Sequence, residues 1–302
     1  MPPAAAAAGR MADATRGLLL GLAGVALFSL TLPMTRMAVA GLDPLFVTFG
    51  RALGAAVLAA AWLAWRRAPL PGRAALRPLA LVALGCVVGF PLLTSLALRS
   101  LPAAHGAVLT GLLPLCTALY AALRGHERPS AGFWLLSAAG AGLVAAFALV
   151  QGGGSLHRAD LLVFGALALA AMGYAEGGRL ARTLGGEAVI CWALVLAAAP
   201  SAALLAVLGP GHLAGLAQAG AGAWLAFGYV TAFSMFIGFF FWYRGMALGG
   251  VARVGQVQLL QPFLSLGGAA LLLGEPLTPV HCAFALAVVA VVALGRRARV
   301  RQ

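Results

Sequence analysis

The sequence contains no lysine and very little acid. Only 9% of its 302 residues are charged, seven of them acidic, whereas 63% are hydrophobic. A soluble domain of this length needs far more charge to cover its surface. With so few carboxylates, and with no GxSxG, HExxH or aspartate-rich motif, the sequence offers little from which to build an enzyme's catalytic site. No enzymatic activity is therefore expected.

Cysteine is also sparse. The four cysteines all fall in apolar runs and lack CxxC spacing, so neither a disulfide framework nor a metal site is expected. No residue pattern indicates a cofactor. The net charge of +13 does not indicate nucleic acid as a partner either, because the arginines lie between the apolar runs rather than on one face.

Apolar runs long enough to cross a lipid bilayer recur along the chain, each near the roughly 20 residues that a spanning helix needs. The sequence therefore predicts an all-α integral membrane protein with ten transmembrane helices. The predicted spans are 17–38, 44–65, 77–98, 102–123, 131–150, 159–180, 188–208, 221–243, 254–273 and 279–295. Residues 1–16 are expected to form a disordered cytoplasmic tail, and residues 296–302 a basic cytoplasmic tail.

The distribution of arginine predicts the orientation of these spans. When successive loops are assigned to alternating sides, sixteen arginines fall on one side and only Arg36, Arg99 and Arg158 on the other, while Arg51 lies within a span. Cytoplasmic loops of membrane proteins carry the excess of positive charge. Both termini are therefore predicted to be cytoplasmic.

The two halves of the chain repeat each other at an offset of 148 residues. In the first half Pro114 precedes Glu127 by thirteen residues, and in the second Pro262 precedes Glu275 by the same distance. The arginine count places Glu127 inside and Glu275 outside, so residues 17–150 and 159–295 are predicted to be inverted repeats of five helices. Many secondary transporters have this organisation, with the substrate site near the midplane between the repeats.

The segments LLPLCTALYAALRGHERP and LLQPFLSLGGAALLLGEPL resemble the EamA-like repeats of the drug/metabolite transporter superfamily, and the resemblance covers about 17–150 and 159–295. It implies a ten-helix secondary transporter that works by alternating access, typically an exporter of amino acids or other small polar metabolites. The substrate itself does not carry over. The composition, rich in Ala, Gly, Pro and Arg, indicates a bacterial source and hence the inner membrane.

Other functions stay open beside this one. A channel or a lipid-scrambling protein has similar helices around a pore or groove, and a non-transporting assembly factor is a further alternative. Coupling to protons and a homodimer are both compatible with the sequence.

Two prolines near the middle of the fourth and ninth spans are the first candidates for the transport site. Pro114 frees the backbone carbonyl of Thr110, and Pro262 frees that of Gln258. In hydrocarbon such a carbonyl needs a partner, unless it faces protein or a water-filled cavity. We expect a central cavity lined by both kinked helices. The alternative is a simple kink whose carbonyl is satisfied by a Ser/Thr side chain or a neighbouring helix.

Polar side chains within the spans are candidates for binding the substrate. Gln258 and Gln261 share one helix face, and their amides suit a carboxylate, amine or hydroxyl group, although polar residues also join helices to each other. Arg51 is expected to face the interior and bind an anionic group, unless it reaches the outer headgroups instead. Thr110, Tyr229 and Ser234 are further candidates to line the cavity and bind the substrate.

Glu176 is the only carboxylate well inside a predicted span, and Arg179 follows one turn later. Glu176 could carry a coupled proton, but a structural ion pair with Arg179 at the cytoplasmic end is the competing interpretation. His105 is expected to be structural or interfacial. Four other acids, in loops or at helix ends, are expected to act as caps or anchors: Asp43, Glu127, Asp160 and Glu275.

Overall fold

A computed structural model describes residues 3–125, 128–129, 131–151, 157–213, 215–249, 254–297 and 300–301. These residues are almost entirely helical, which confirms the predicted all-helical class. Two short strands, β1 (Arg128–Pro129) and β2 (Val300–Arg301), pair antiparallel. Part of the basic tail predicted over 296–302 is thus paired with the segment that precedes the fifth predicted span.

The helices of the first half are α1 (Pro3–Ser29), α2 (Thr31–Gly41), α3 (Pro44–Trp65), α4 (Arg73–Val82), α5 (Phe90–Ala97), α6 (Ala103–Thr110), α7 (Leu113–Gly125) and α8 (Ala131–Gln151). A π-helical segment, Ala83–Gly89, joins α4 to α5.

The helices of the second half are α9 (Arg158–Leu184), α10 (Gly186–Val207), α11 (Ala221–Tyr229), α12 (Gly238–Gly249), α13 (Gln261–Leu273) and α14 (Pro279–Arg297). A second π-helical segment, Val230–Ile237, joins α11 to α12. A 3-10 helix, Gly255–Leu260, leads into α13.

Seven stretches of the described chain are long and apolar enough to cross a membrane. They are Thr15–Gly41, Pro44–Trp65, Arg73–Ala97, Ala103–Arg124, Arg158–Leu184, Gly186–Val207 and Ala221–Gly249. Three shorter apolar helices, Ala138–Gln151, Val257–Leu273 and Pro279–Val291, lie where the fifth, ninth and tenth spans are predicted. The protein therefore passes through the membrane several times, while ten crossings and cytoplasmic termini stay predictions.

The N-terminal segment differs from the prediction of a disordered tail over 1–16. Residues 3–16 form the first turns of α1, which continues without a break to Ser29. Five consecutive alanines, residues 4–8, explain the difference, because alanine has the highest intrinsic helix propensity of all residues.

Several predicted spans are interrupted rather than continuous. α1 gives way to α2 at Leu30, and α6 gives way to α7 at Gly111 and Leu112. The ninth predicted span enters α13 through its 3-10 helix, and the third and eighth contain the π-helical segments. Such departures from the α-helical hydrogen-bond pattern are frequent at functional sites. In this protein they fall in helices of both halves.

Glycines allow α1 to pack directly against α12. A Cβ atom added to Gly17 would lie 2.5 Å from the backbone nitrogen of Gly249, and one added to Gly245 would lie 2.8 Å from that of Gly21. Only a residue without a side chain fits where two helix backbones approach so closely. This contact between the two halves fixes the distance between the first and eighth predicted spans.

We expect Gly245→Leu to lower the free energy of unfolding by about 1–3 kcal/mol or more, because the new side chain would have to push the backbone of α1 away. Gly228→Leu is the matched control, since an added Cβ there has no atom within 4 Å. Thermal unfolding of both variants in detergent measures the effect. Equal stability of the two variants would contradict the close approach of α1 and α12.

Candidate solute-binding site

Arg51 lies in α3 with only 2% of its surface exposed. Its Nη2 atom donates a hydrogen bond of 3.3 Å to the hydroxyl of Ser234, and the hydroxyls of Ser234 and Thr31 share a hydrogen bond of 2.8 Å. The Nε and Nη1 atoms of Arg51 have no hydrogen-bond partner among the described residues. Arg51 thus faces the protein interior, as one of the two interpretations of the sequence expects, and retains donors that no atom of the described residues uses.

The local backbone explains how Arg51 reaches Ser234. Ser234 lies in the π-helical segment 230–237, and α3 packs against this segment through Gly54, where an added Cβ would come within 2.8 Å of the Thr231 side chain. Thr31 is the first residue of α2, directly after the interruption at Leu30. Two interrupted helices and one glycine therefore bring three polar side chains together between the halves.

The interruption at Leu30 is held by polar contacts from the second half. The hydroxyl of Ser265, in α13, donates to the carbonyl of Ser29 over 2.8 Å. The hydroxyl of Tyr229 donates to the carbonyl of Leu27 over 2.9 Å. Tyr229 therefore supports the broken first span, and no described hydrogen bond joins it to Arg51.

The helix segments that carry the two predicted proline kinks pack against each other. Pro114 is the second residue of α7, after the interruption at Gly111 and Leu112, and Pro262 is likewise the second residue of α13. A Cβ added to Gly111 would lie 3.3 Å from the Pro262 ring, so the interrupted helices are in contact at this level. Both prolines are buried, and the hydroxyl of Thr110 bonds back to its own helix at Ala107.

The two glutamines on the ninth predicted span have different surroundings. Gln258 is 3% exposed, and its amide nitrogen has no hydrogen-bond partner among the described residues. Gln261 is half-buried at the start of α13. In the described chain no hydrogen bond links either of them to Arg51. The structure therefore joins Arg51 with Ser234, and leaves Gln258 as a separate buried polar group.

Glu176 accepts hydrogen bonds at both carboxylate oxygens. The Tyr120 hydroxyl and Arg124 Nε donate to Oε1 over 3.1 and 3.2 Å, and Arg179 Nη2 donates to Oε2 over 2.8 Å. Glu176 itself is buried, whereas both arginines are largely exposed. This geometry matches the ion pair of Glu176 with Arg179 that the sequence suggests, and Tyr120 and Arg124 of α7 also take part in it. We call the end of the molecule that carries this cluster the inner end.

A cavity of about 470 Å³ lies at the opposite end, here called the outer end, where the arginine count predicts the extracellular side. The charged and histidine side chains in its wall come from both halves: Arg36, His105, His157, Asp160, Glu275 and His281. The sequence analysis used Arg36 only to predict orientation, gave His105, Asp160 and Glu275 structural roles, and did not treat the other two histidines.

The acids of this cavity cap helices, as predicted, but they also join the two halves. Glu275 accepts from the backbone N–H groups of Ala103 and Ala104 over 2.8 and 2.7 Å, at the start of α6. Asp160 forms a capping box with His157 at the start of α9, and its Oδ1 lies 2.7 Å from His105 Nε2. Asp43 caps α3, while Glu127 lies outside the described residues.

The chain is similar to proteins that share this fold. The model of the EamA-like transporter family matches residues 15–150 and 157–295. A Bacillus subtilis (strain 168) protein described as "Uncharacterized transporter YdeK" is 47% identical over 287 residues, which cover 95% of this chain and 99% of that protein. A solved structure described as "Crystal structure of protein" is 20% identical in sequence to this chain, with a TM-score of 0.62. The match covers 93% of this chain and 97% of that one, and it supports the fold alone.

We expect Arg51→Met to raise the free energy of unfolding by about 1–3 kcal/mol, because it removes a buried charge that has no counter-ion in the part of the chain that the structure describes. The midpoint of thermal unfolding in detergent, without added solute, measures the change. Arg99→Met serves as control, because Arg99 is exposed and its loss should leave the midpoint unchanged. A clear loss of stability in Arg51→Met would show that Arg51 is a structural group and not part of a binding site.

Proposed function

Because this chain belongs to the EamA-like transporter family, we propose that it is a secondary transporter that exports a small polar metabolite, such as an amino acid, across a bacterial inner membrane. The observation that carries the proposal is the contact of Arg51 and Thr31, from the first half, with Ser234 from the second. Secondary transporters bind their substrates at such a junction, where interrupted helices expose polar groups within the membrane.

The positions of the π-helical segments support two inverted repeats. The segments Ala83–Gly89 and Val230–Ile237 begin 147 residues apart and end 148 residues apart. This separation agrees with the 148-residue offset at which the sequence of the fourth and ninth spans repeats. An inverted pair of five-helix repeats has ten crossings and returns the C-terminus to the side of the N-terminus, which the arginine count makes cytoplasmic.

Polar contacts at the two ends of one pair of spans suggest how access alternates. At the outer end His105 of α6 bonds to Asp160 of α9, and at the inner end Tyr120 and Arg124 of α7 bond to Glu176 of the same α9. In an alternating-access cycle one of these contacts opens while the other holds. The fourth and sixth spans then rock against each other, and this movement exposes the site that Arg51, Thr31 and Ser234 form between the second, first and eighth spans.

We expect the Glu176 cluster to hold spans together and not to relay protons. Glu176→Gln should lower the midpoint of thermal unfolding, because both of its oxygens are bonded in the buried site, and should leave any response of transport to an imposed pH gradient unchanged. Glu187→Gln is the matched control, since its pair with Arg244 is exposed and contributes little. Loss of the pH-gradient response in Glu176→Gln alone would assign proton coupling to Glu176.

Counterflow in proteoliposomes tests the proposed function. Vesicles loaded with one unlabelled amino acid at a time should accumulate the labelled compound transiently, with saturation, when they contain the unmodified protein. Ser234→Ala should weaken this uptake severalfold, whereas Gly228→Ala should not. Labelled solute that only equilibrates, without overshoot, would indicate a channel, and movement of fluorescent lipid alone would indicate a scramblase. No movement of solute or lipid would favour the assembly factor.

A further inference from the structure

Arg51 has no protein counter-ion in the described chain. Five of the described acids have polar partners elsewhere: Asp43, Asp160, Glu176, Glu187 and Glu275. Asp13 is exposed near the start of α1, whereas Arg51 is buried. A guanidinium group removed from water is strongly unfavourable unless an anion or several acceptors replace the lost hydration. The hydroxyl of Ser234 alone does not supply that replacement.

Arg36 repeats this situation at the wall of the outer cavity. It donates to the backbone carbonyl of Leu98, and no described carboxylate oxygen lies within 4 Å of it. The acids of the cavity do not neutralise it directly, because Asp160 is bonded to His105 and Glu275 to the start of α6. Arg36 is therefore a second cation without a paired anion in the described ranges.

Helix α2 connects the two arginines. Thr31 contacts Ser234, the partner of Arg51, and Thr35 follows one turn later on the same face, about 6 Å further along the helix. The hydroxyl of Thr35 is fully buried without a hydrogen-bond partner among the described residues, and Arg36 comes next in the cavity wall. Thr35 is thus an unpartnered polar group that lies on α2 between the cavity wall and the contact of Thr31 with Ser234.

We propose that the transported solute carries an oxyanion, and that Arg51 and Arg36 bind it in turn as it moves between the interior and the outer cavity. A guanidinium group presents a planar fork of N–H donors that matches a carboxylate, phosphate or sulfonate. A neutral solute or a simple amine would leave the buried charge of Arg51 uncompensated. The cavity volume of about 470 Å³ suits a molecule of metabolite size.

This inference deepens the proposed function and rests on it for the movement of the solute, but binding tests it separately. Purified protein is heated with increasing concentrations of acetate, lactate, alanine, glycerol 3-phosphate, glycerol or ethanolamine. The compounds with an oxyanion should raise the unfolding midpoint with saturation, and glycerol and ethanolamine should not. Comparison of the carboxylates with the phosphate ester identifies which oxyanion the site prefers.

Variants locate the binding positions. Arg51→Gln should weaken binding of the preferred oxyanion at least tenfold, and Arg51→Lys, which keeps the charge, should weaken it less. In right-side-out proteoliposomes, Arg36→Gln should raise severalfold the concentration of external solute that gives half-maximal counterflow, while Arg99→Gln, at an exposed arginine of the same end, should leave it unchanged. Because Arg51→Gln removes an unpaired buried charge, a folded variant that still binds equally well overturns the assignment.

Counterflow of the same compounds separates this inference from the proposed function. If oxyanions bind through Arg51 but are not carried, the site stands and the transport proposal is wrong. If the protein transports glycerol or ethanolamine at the same rate as the oxyanions, transport stands and the proposed selectivity for oxyanions is wrong. The same conclusion holds if the Arg51→Gln variant transports the solute as fast as the unmodified protein. If no compound binds or moves, both proposals are overturned.

Discussion

A buried guanidinium group is the constraint on which the arrangement of this protein depends. Arg51 sits in a membrane-spanning helix with almost no exposure, so the surrounding helices have to bring acceptors to it. One such acceptor is the Ser234 hydroxyl, which lies in a π-helical segment 3.3 Å from Arg51 Nη2. Thr31 stabilises that hydroxyl from the point where the first span breaks. The unpaired charge and the irregular backbone around it are consequently parts of one feature.

Much of the fold could be predicted because membrane insertion imposes simple rules on a sequence. Apolar runs about as long as the bilayer is thick predict helices, and arginine-rich loops predict orientation. The interruptions at Leu30 and within residues 83–89 and 230–237 were not predicted, although the sequence carries signals at two of them. Pro33 lacks the N–H that would bond to the Ser29 carbonyl, and residues 83–89 include Gly85 and Gly89. Residues 230–237 contain neither proline nor glycine, so nothing in the sequence marks that segment. The position of each interruption also depends on contacts from distant residues, such as Ser265 with Ser29.

The candidate site was predictable only in part, for the same reason. Charge at membrane depth drew attention to Arg51, and its partner Ser234 was among several polar candidates. The outer cavity was missed because His105 and Asp160 look like ordinary helix-end residues, and only the packing of α6 on α9 shows that they pair across the two halves. One signal of this cavity was present in the sequence, because most of the histidines lie at the end of the predicted topology that has few arginines.

The central claim is that the site around Arg51 opens to each side of the membrane in turn. The most direct measurement is the labelling of Ser234→Cys, in a background without the four native cysteines, by a membrane-impermeant maleimide applied from either side. We predict that Cys at this position reacts from both sides, and that a saturating solute slows the reaction. A position that reacts from one side only, whatever solute is present, or that never reacts, would contradict alternating access at this site.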